Sequence, residues 1–116
     1  MSRGMEGRVE FKSVIAIIPT GTLEKVEKQL RKIGVKGVTV TQVSGYGEYK
    51  DFLRENWFVT HARIEIVAAE TKAEIIAGVI MEAAHTGTPG NGIVCILPVE
   101  KIYRIRTKSE AKIDEI

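Results

Sequence analysis

The sequence is poor in cysteine and in long apolar runs, and each shortage excludes a class of protein. Cys95 is the single cysteine among 116 residues, which rules out an intramolecular disulfide framework and any multi-cysteine metal site. A lone cysteine fits a reducing compartment. No apolar run approaches the roughly 18 residues that a membrane-spanning helix needs. The sequence therefore predicts neither a disulfide-stabilised nor a membrane-spanning protein.

An excess of charge of one sign is lacking as well. The chain carries 17 Lys and Arg against 15 Asp and Glu, a formal net charge of +2. This balance argues against nucleic acid or an anionic membrane as the main partner, because both require a concentrated basic surface. Residues 1–10 mix charges without an apolar centre, so they do not predict a secretory signal. We expect a cytoplasmic protein with no direct membrane insertion.

The apolar pattern that is present predicts one α+β domain, a size that 116 residues suit. β-branched or alternating runs predict four strands, and helical spacing predicts one helix after the first strand and one after the third. The strands are expected at residues 14–18, 38–43, 57–68 and 93–99, with a short fifth strand at 103–107.

The two predicted helices carry boundary signals of their own. Thr22 is suited to cap the first helix, and Gly34 stands where a C-terminal glycine is expected. Thr71 and Glu74 form a capping box at the start of the second helix. The spacing predicts that this helix buries Ile75, Ile76, Val79, Ile80 and Ala83.

An internal repeat organises these elements. A shift of 49 residues lays Ile15 on Ile64 and Thr22 on Thr71, so strand and cap positions match. Two such βαβ units predict a ferredoxin-like βαββαβ sandwich, an antiparallel sheet with both helices on one face. The other face is then left to be covered by a second copy, which argues for an oligomer.

The ends and one connection are expected to lie outside this sandwich. Residues 1–10 are predicted to form a flexible N-terminal tail, residues 11–107 the domain, and residues 108–116 a loose, charged C-terminal tail. Residues 48–56 are polar and charged, and we interpret them as an exposed interaction loop or linker.

Two features are suited to bind an anion, and each has a structural alternative. The glycines of residues 86–92 allow backbone N–H groups to converge on a phosphate, although the same loop is typical of a connector with positive φ angles. It is not a Walker motif, because the lysine is missing. In a strand, Arg104 and Arg106 point to the same side and suit phosphate oxygens, or they are the solvated charges of an edge strand.

The remaining candidates favour structural roles. Cys95 lies among apolar residues and is expected to be a small buried hydrophobe. His61 and His85 have no acidic partner at catalytic or metal-binding spacing, so each is expected to be structural or on the surface. Glu65, inside an apolar strand, needs a partner, which is either a cation at a subunit boundary or a ligand. No nucleophile–base pair, carboxylate pair or metal constellation is present, so we predict neither an enzyme nor a metal site.

Several motifs, in this order along the chain, resemble those of the nitrogen regulatory protein P-II family of signal-transduction proteins. The resemblance covers most of the chain, from about Val14 to Thr107. Its motifs are Gly37-Val38-Thr39, Gly45-Tyr46-Gly47, Ile64-Glu65-Ile66-Val67, Thr86-Gly87 with Gly90-Asn91-Gly92, and Arg104-Ile105-Arg106-Thr107.

The resemblance implies a homotrimer that binds an adenine nucleotide at clefts between subunits and signals through a mobile T-loop, here residues 46–56. The B-loop, residues 86–92, would wrap the phosphates, and the two arginines would reach them from the neighbouring subunit. From that side Gly37 and Thr39 would line the base and ribose, with Gly45, Glu65 and Val67 opposite. The whole implied nucleotide site is Gly37, Val38, Thr39, Gly45, Tyr46, Gly47, Glu65, Val67, Thr86, Gly87, Gly90, Asn91, Gly92, Arg104 and Arg106.

The sequence also departs from the family pattern. Ile93 follows the B-loop where the family has a phosphate-binding lysine, and Glu48-Tyr49 stand where it has Arg-Gln. His61 aligns with a lysine that binds 2-oxoglutarate, and the T-loop is shorter than usual. Fewer cations compensate the charge of a triphosphate poorly. We therefore expect AMP or ADP, or cyclic AMP, to bind in preference to Mg-ATP, and 2-oxoglutarate not to bind.

These departures point to a divergent P-II-like regulator whose partner is a membrane transporter or a metabolic enzyme. The alternative is an interaction trimer of the same fold that regulates its partner without binding a nucleotide. A small hydrolase ranks last, because the sequence offers no catalytic group.

Overall fold

The computed structural model describes residues 10–45, 59–87, 92–112 and 116. The expected N-terminal tail up to residue 9 and the T-loop, residues 46–56, lie outside the described residues. The elements in chain order are strand β1 (Phe11–Pro19), a 3-10 turn (Thr20–Thr22), helix α1 (Leu23–Lys32), β2 (Thr39–Gly45), β3 (Val59–Ala69), helix α2 (Glu70–Ala84), β4 (Ile93–Val99), β5 (Tyr103–Arg104) and β6 (Ser109–Glu110).

The first four strands form one antiparallel sheet in the order β2-β3-β1-β4. Each helix follows a strand of the central pair, β1 or β3, and leads to a strand at the edge of the sheet. This is the ferredoxin-like arrangement that the repeat predicts, and the prediction of an α+β fold is confirmed.

The core lies on one side of this sheet, where even-numbered residues of β1 and β3 face the helices. Because side chains alternate along a strand, these residues share one face and the odd-numbered residues share the other. Among the described residues the largest fully buried side chains are Val14, Ile18, Val26, Leu30, Ile64, Ile76 and Ile80. They come from both helices and both central strands, so burial of this face holds the helices onto the sheet.

We call the odd-numbered face the open face of the sheet because the helices do not cover it, although Phe11, Ser13 and His61 on this face are buried. Ile17, paired with Arg63 on one side and Ile93 on the other, lies near its centre. Ile93 and Leu97 on β4 remain exposed, with 46% and 41% of their surface accessible. The prediction that the helices leave one face of the sheet uncovered therefore holds for the part of the chain that the structure describes.

Helix α1 ends at the residues that the sequence indicates. Gly34 has a φ of +88°, its N–H donates to the carbonyl of Arg31 at 3.0 Å, and the N–H of Val35 donates to the carbonyl of Leu30 at 3.0 Å. These two bonds form a Schellman motif, which satisfies carbonyls that the last turn would leave unpaired. The glycine then directs the chain across the sheet edge toward β2.

Neither predicted side-chain cap forms, and of the two predicted helix starts only that of α1 is correct. Helix α2 begins at Glu70 without a side-chain cap, and Thr71 lies inside its first turn. The N–H of Glu70 instead donates to the carbonyl of Glu10 at 2.9 Å, so backbone beside β1 replaces the cap. Thr22 does precede α1, but its Oγ1 donates to the carbonyl of Pro19 at 2.8 Å and makes no capping bond.

The C-terminal end also differs from the prediction. The fifth strand covers Tyr103–Arg104 only, and a turn leads to β6, which pairs with it. Ala111, expected in a loose tail, is buried, and its N–H donates to the carbonyl of Ile102 at 2.8 Å. The ordered chain thus extends beyond Thr107 as a hairpin.

Candidate ligand site

A cavity lies at one edge of the sheet because two paired strands start and end at different levels. Strand β2 begins at Thr39, opposite Glu65, whereas β3 continues to Ala69. Residues 66–69 therefore pair with β1 on one side and have no β2 partner on the other. The loop that follows α1 and the first turns of α2 close over this uncovered stretch of β3.

The cavity has a volume of about 880 Å³. Apolar side chains form most of its wall, and a few polar groups are placed among them, which is the usual composition of a small-molecule site. The apolar lining residues include Ile33, Val35, Ile66, Ile75, Ile76 and Ile116, and the polar ones are Lys36, Thr39, Glu65, Thr71 and Lys72.

Four of the predicted site residues line this cavity together: Gly37, Thr39, Glu65 and Val67. The resemblance implies that the first two and the last two stand on opposite sides of a cleft. The register of β2 and β3 sets Thr39 directly beside Glu65, so within one chain these residues border the same cavity. Val38, the intervening residue, lines a smaller cavity of about 290 Å³ on the helix side.

Glu65 occupies the boundary between the cavity and the open face. Arg63 Nη1 donates to Glu65 Oε1 at 3.3 Å, and Ser13 Oγ donates to Glu65 Oε2 at 3.3 Å. Glu65, for which the sequence leaves open a cation at a subunit boundary or a ligand, thus has a cation two residues away on its own strand. Ser13 was missed by the sequence analysis, and its only signal there is a hydroxyl within an otherwise apolar strand.

A second group of predicted residues lies at the opposite end of the sheet. Gly45 is buried at the end of β2, level with Val59, and Gly92 lies just before β4. Gly92 has a φ of +101°, and a Cβ at this position would overlap the carbonyl oxygen of Ile17. Gly92 is therefore required by backbone conformation and by close packing.

The rest of the glycine loop is described only at its start. Thr86 and Gly87 follow α2 and are exposed, and Gly87 has a φ of +76°. The positive φ angles that a connector requires are thus present at both ends of the loop. Gly90 and Asn91, and in the T-loop Tyr46 and Gly47, lie outside the described residues.

The two arginines do not share one face of a strand. Arg104 lies in β5 and is half-buried, whereas Arg106 lies in the turn and is exposed. The turn is closed by the N–H of Lys108, which donates to the carbonyl of Arg104 at 2.8 Å. The geometric argument from strand alternation is therefore wrong, because the predicted strand is only two residues long.

Comparison with known proteins assigns this arrangement to a family. The family model described as nitrogen regulatory protein P-II matches residues 11–109. The chain belongs to the P-II family. The match spans the whole four-stranded sheet, both helices and most of the β5–β6 hairpin.

Individual relatives agree with this P-II assignment. The chain is 34% identical over 106 residues to the nitrogen regulatory protein P-II of Azospirillum brasilense, covering 84% of this chain and 93% of the relative. It is 32% identical over 115 residues to the protein of the same name from Rhizobium meliloti, covering 91% and 100%. A crystal structure of Arabidopsis thaliana PII bound to citrate superposes with a TM-score of 0.76 at 34% identity, covering 96% of this chain and 97% of that one.

In this P-II chain the predictions for the cysteine and the two histidines are partly confirmed. Cys95 is exposed rather than buried, because it points to the open face of the edge strand β4. His61 is buried and His85 is exposed, as expected of a structural and a surface histidine.

Among the described residues no group of three or more His, Cys, Asp or Glu side chains is arranged to hold a metal ion. No helix among them is long and apolar enough to cross a membrane.

Proposed function

We propose that this P-II family regulator is a non-catalytic nucleotide sensor. It forms a homotrimer and binds an adenine nucleotide at clefts between subunits, with AMP or ADP favoured over Mg-ATP. It acts on a transporter or metabolic enzyme through residues 46–56. Binding energy from the nucleotide shifts the population of loop conformations, and the partner responds to that shift.

The observation that carries this proposal is the cavity at the edge of β3. It gathers Gly37, Thr39, Glu65 and Val67, which come from two separate segments of the chain. Its volume is within the range of small-molecule sites, and its apolar walls suit a planar base. Thr39 and Glu65 offer the polar contacts that a ribose or an amino group requires.

The arrangement of the glycines supports a site shared between subunits. The cavity lies beside β3 near residues 66–69, whereas Gly92 lies toward the opposite edge and the opposite end of the sheet. Within one copy the proposed base-binding cavity and Gly92 therefore lie at separate places on the sheet. A second copy, packed through the open face, is suited to bring cavity and glycine loop to one ligand.

The charge of the proposed site supports the smaller nucleotides. Ile93 is exposed at the start of β4, where it supplies no positive charge beside the glycine loop. His61 is buried, so it does not reach into the solvent as a lysine that binds 2-oxoglutarate would. Each uncompensated phosphate charge raises the cost of binding. The Arabidopsis relative is a complex with citrate, so a small polyanion is a further ligand to test.

Calorimetric titration of the full chain with AMP, ADP, Mg-ATP, cyclic AMP and citrate tests the proposal. We expect AMP or ADP to bind at least about tenfold more tightly than Mg-ATP, a difference of about 1.4 kcal/mol. Replacing Arg104 and Arg106 by alanine should abolish nucleotide binding and leave the trimer intact. Arg31→Ala, on the exposed surface of α1, is the matched control. Absence of heat and of thermal stabilisation with every nucleotide would contradict the proposal.

The interaction trimer that needs no nucleotide is a second candidate, and one observation favours it. Arg104 and Arg106 lie in different local structures, so within one chain they do not form a paired phosphate clamp. Capture of the regulated transporter or enzyme with and without ADP separates the candidates. The second candidate requires capture that is unchanged by ADP and by the double arginine substitution.

A further inference from the structure

The carboxylate of Glu65 is held by two donors while its side chain lines the cavity. Ser13 Oγ donates to one oxygen and Arg63 Nη1 to the other, each at 3.3 Å. The Glu65 side chain retains 37% of its accessible surface, so it is partly open to the cavity and the solvent. Three residues on the open face of β1 and β3 thus form a single hydrogen-bonded unit.

The hydrogen bond from Ser13 to Glu65 can form only in the folded chain. Ser13 lies 52 residues from Glu65 in sequence and reaches it only because β1 and β3 are antiparallel neighbours. Ser13 is 7% exposed, and a hydroxyl this deeply buried needs a hydrogen-bond partner. Glu65 is that partner. The next residues of β1 on the same face, Phe11 and Ile15, offer no polar group, so Ser13 is the donor that β1 supplies to this carboxylate.

A carboxylate whose two oxygens both accept hydrogen bonds is held in one orientation, so a ligand meets its negative charge at a fixed position. The carboxylate is an acceptor only, so its free lone pairs attract hydroxyl or amino groups and disfavour phosphate. Fixing it before the ligand arrives removes part of the ordering cost that binding otherwise incurs. A carboxylate that rotated freely would lose this advantage, although its charge would be unchanged.

We propose that Ser13 is a positioning residue for the ligand of this cavity. Together with Arg63 it holds Glu65 so that the cavity receives the hydroxyl- or amine-bearing end of the ligand and directs its phosphates away. This inference rests on the proposed nucleotide binding and adds the residue that holds Glu65 in place for the ligand. Ser13 acts through Glu65 and does not touch the ligand.

Titration of ADP into single and double variants tests the role of Ser13. Ser13→Ala should weaken ADP binding roughly three- to tenfold, the effect of one lost hydrogen bond. Ser13→Thr keeps the hydroxyl on a strand-forming residue and should restore most of the affinity. In a Glu65→Ala background, which has no side-chain acceptor, Ser13→Ala should have no further effect. Ser44→Ala, an exposed serine on the opposite face of β2, is the matched control.

Ligand analogues test the polarity of the site. Two analogues are used: 2′,3′-dideoxy-ADP lacks the ribose hydroxyls, and purine riboside diphosphate lacks the amino group. For one of these two ligands, Ser13→Ala should no longer weaken binding. That analogue identifies the donor that Glu65 accepts. An equal loss with ADP and with both analogues would overturn the proposed orientation.

The outcomes separate this inference from the function on which it rests. If the unmodified chain binds no nucleotide, both fail. If it binds ADP but the effects of Ser13→Ala and Glu65→Ala add, or Ser13→Thr binds no better than Ser13→Ala, only the positioning role fails. Thermal unfolding of each variant, recorded in parallel, distinguishes lost affinity from lost fold.

Discussion

At the scale of single residues, the sequence revealed conformations set by near neighbours and missed those set by distant ones. Gly34 was expected at the end of α1, because a helix of this spacing needs a residue with positive φ there, and it has a φ of +88°. The sequence assigns Gly92 to the glycine loop and to the implied phosphate site, but not to a close contact with a strand. Its contact with Ile17 follows from the pairing of β1 and β4, and no local pattern encodes that approach.

This difference predicts unequal effects of alanine at two glycines of one loop. Gly87→Ala adds a Cβ that meets only ordinary contact with His85, so it should cost about 1–2 kcal/mol for the left-handed backbone. Gly92→Ala also forces a methyl group against the carbonyl of Ile17, so it should cost clearly more, about 3 kcal/mol or above. Chemical denaturation at fixed protein concentration measures both.

Gly37→Ala is the control for this comparison, because its φ is not positive and a Cβ there meets no atom within 4 Å. We expect this variant to unfold at nearly the same denaturant concentration as the parent chain. Equal destabilisation by Gly87→Ala and Gly92→Ala would contradict the close approach of Gly92 to β1.

At the scale of elements, periodicity located every strand of the main sheet but described the ends and faces less well. Strand β4 was predicted with the observed bounds, Ile93–Val99. The capping box failed because the carbonyl of Glu10, a tertiary partner, takes the first N–H of α2. The fifth strand failed because its alternation continues into a turn. Such errors arise where long-range contacts override local preference.

The face of α2 offers a test at this scale. Periodicity assigned both Ile75 and Ile80 to the core, but Ile80 is fully buried and Ile75 is 58% exposed beside the cavity. Ile80→Ala should therefore destabilise the chain by about 2–5 kcal/mol, since it leaves a cavity in a packed core. Ile75→Ala should cost less than about 1 kcal/mol. Thermal and chemical unfolding should rank the two variants in this order, and the reverse order would refute the assigned helix face.

At the scale of the whole molecule, the repeat predicted the fold, but the sequence did not determine how the site residues combine. Their identities came from motifs that resemble the P-II family. Their grouping depends on strand register, which sets Thr39 beside Glu65 and places Gly45 and Gly92 at the other end of the sheet. Register is a tertiary property, so the separation of these two groups of residues emerges only from the structure.

The distance between the cavity residues and Gly92 leads to the last prediction, which concerns the open face. Leu97, 41% exposed, lies on this face, whereas Met81, 58% exposed, lies on the outer side of α2. If three copies associate through the open face, Leu97→Glu buries an unpaired carboxylate at each contact, which costs several kcal/mol. This variant should sediment as a monomer in analytical ultracentrifugation, and Met81→Glu should remain a trimer. Because the described glycines of the loop, Gly87 and Gly92, do not line the cavity of their own copy, the Leu97 variant should also lose ADP binding. A monomeric Leu97 variant that binds ADP with unchanged affinity would mean that one chain holds the whole site.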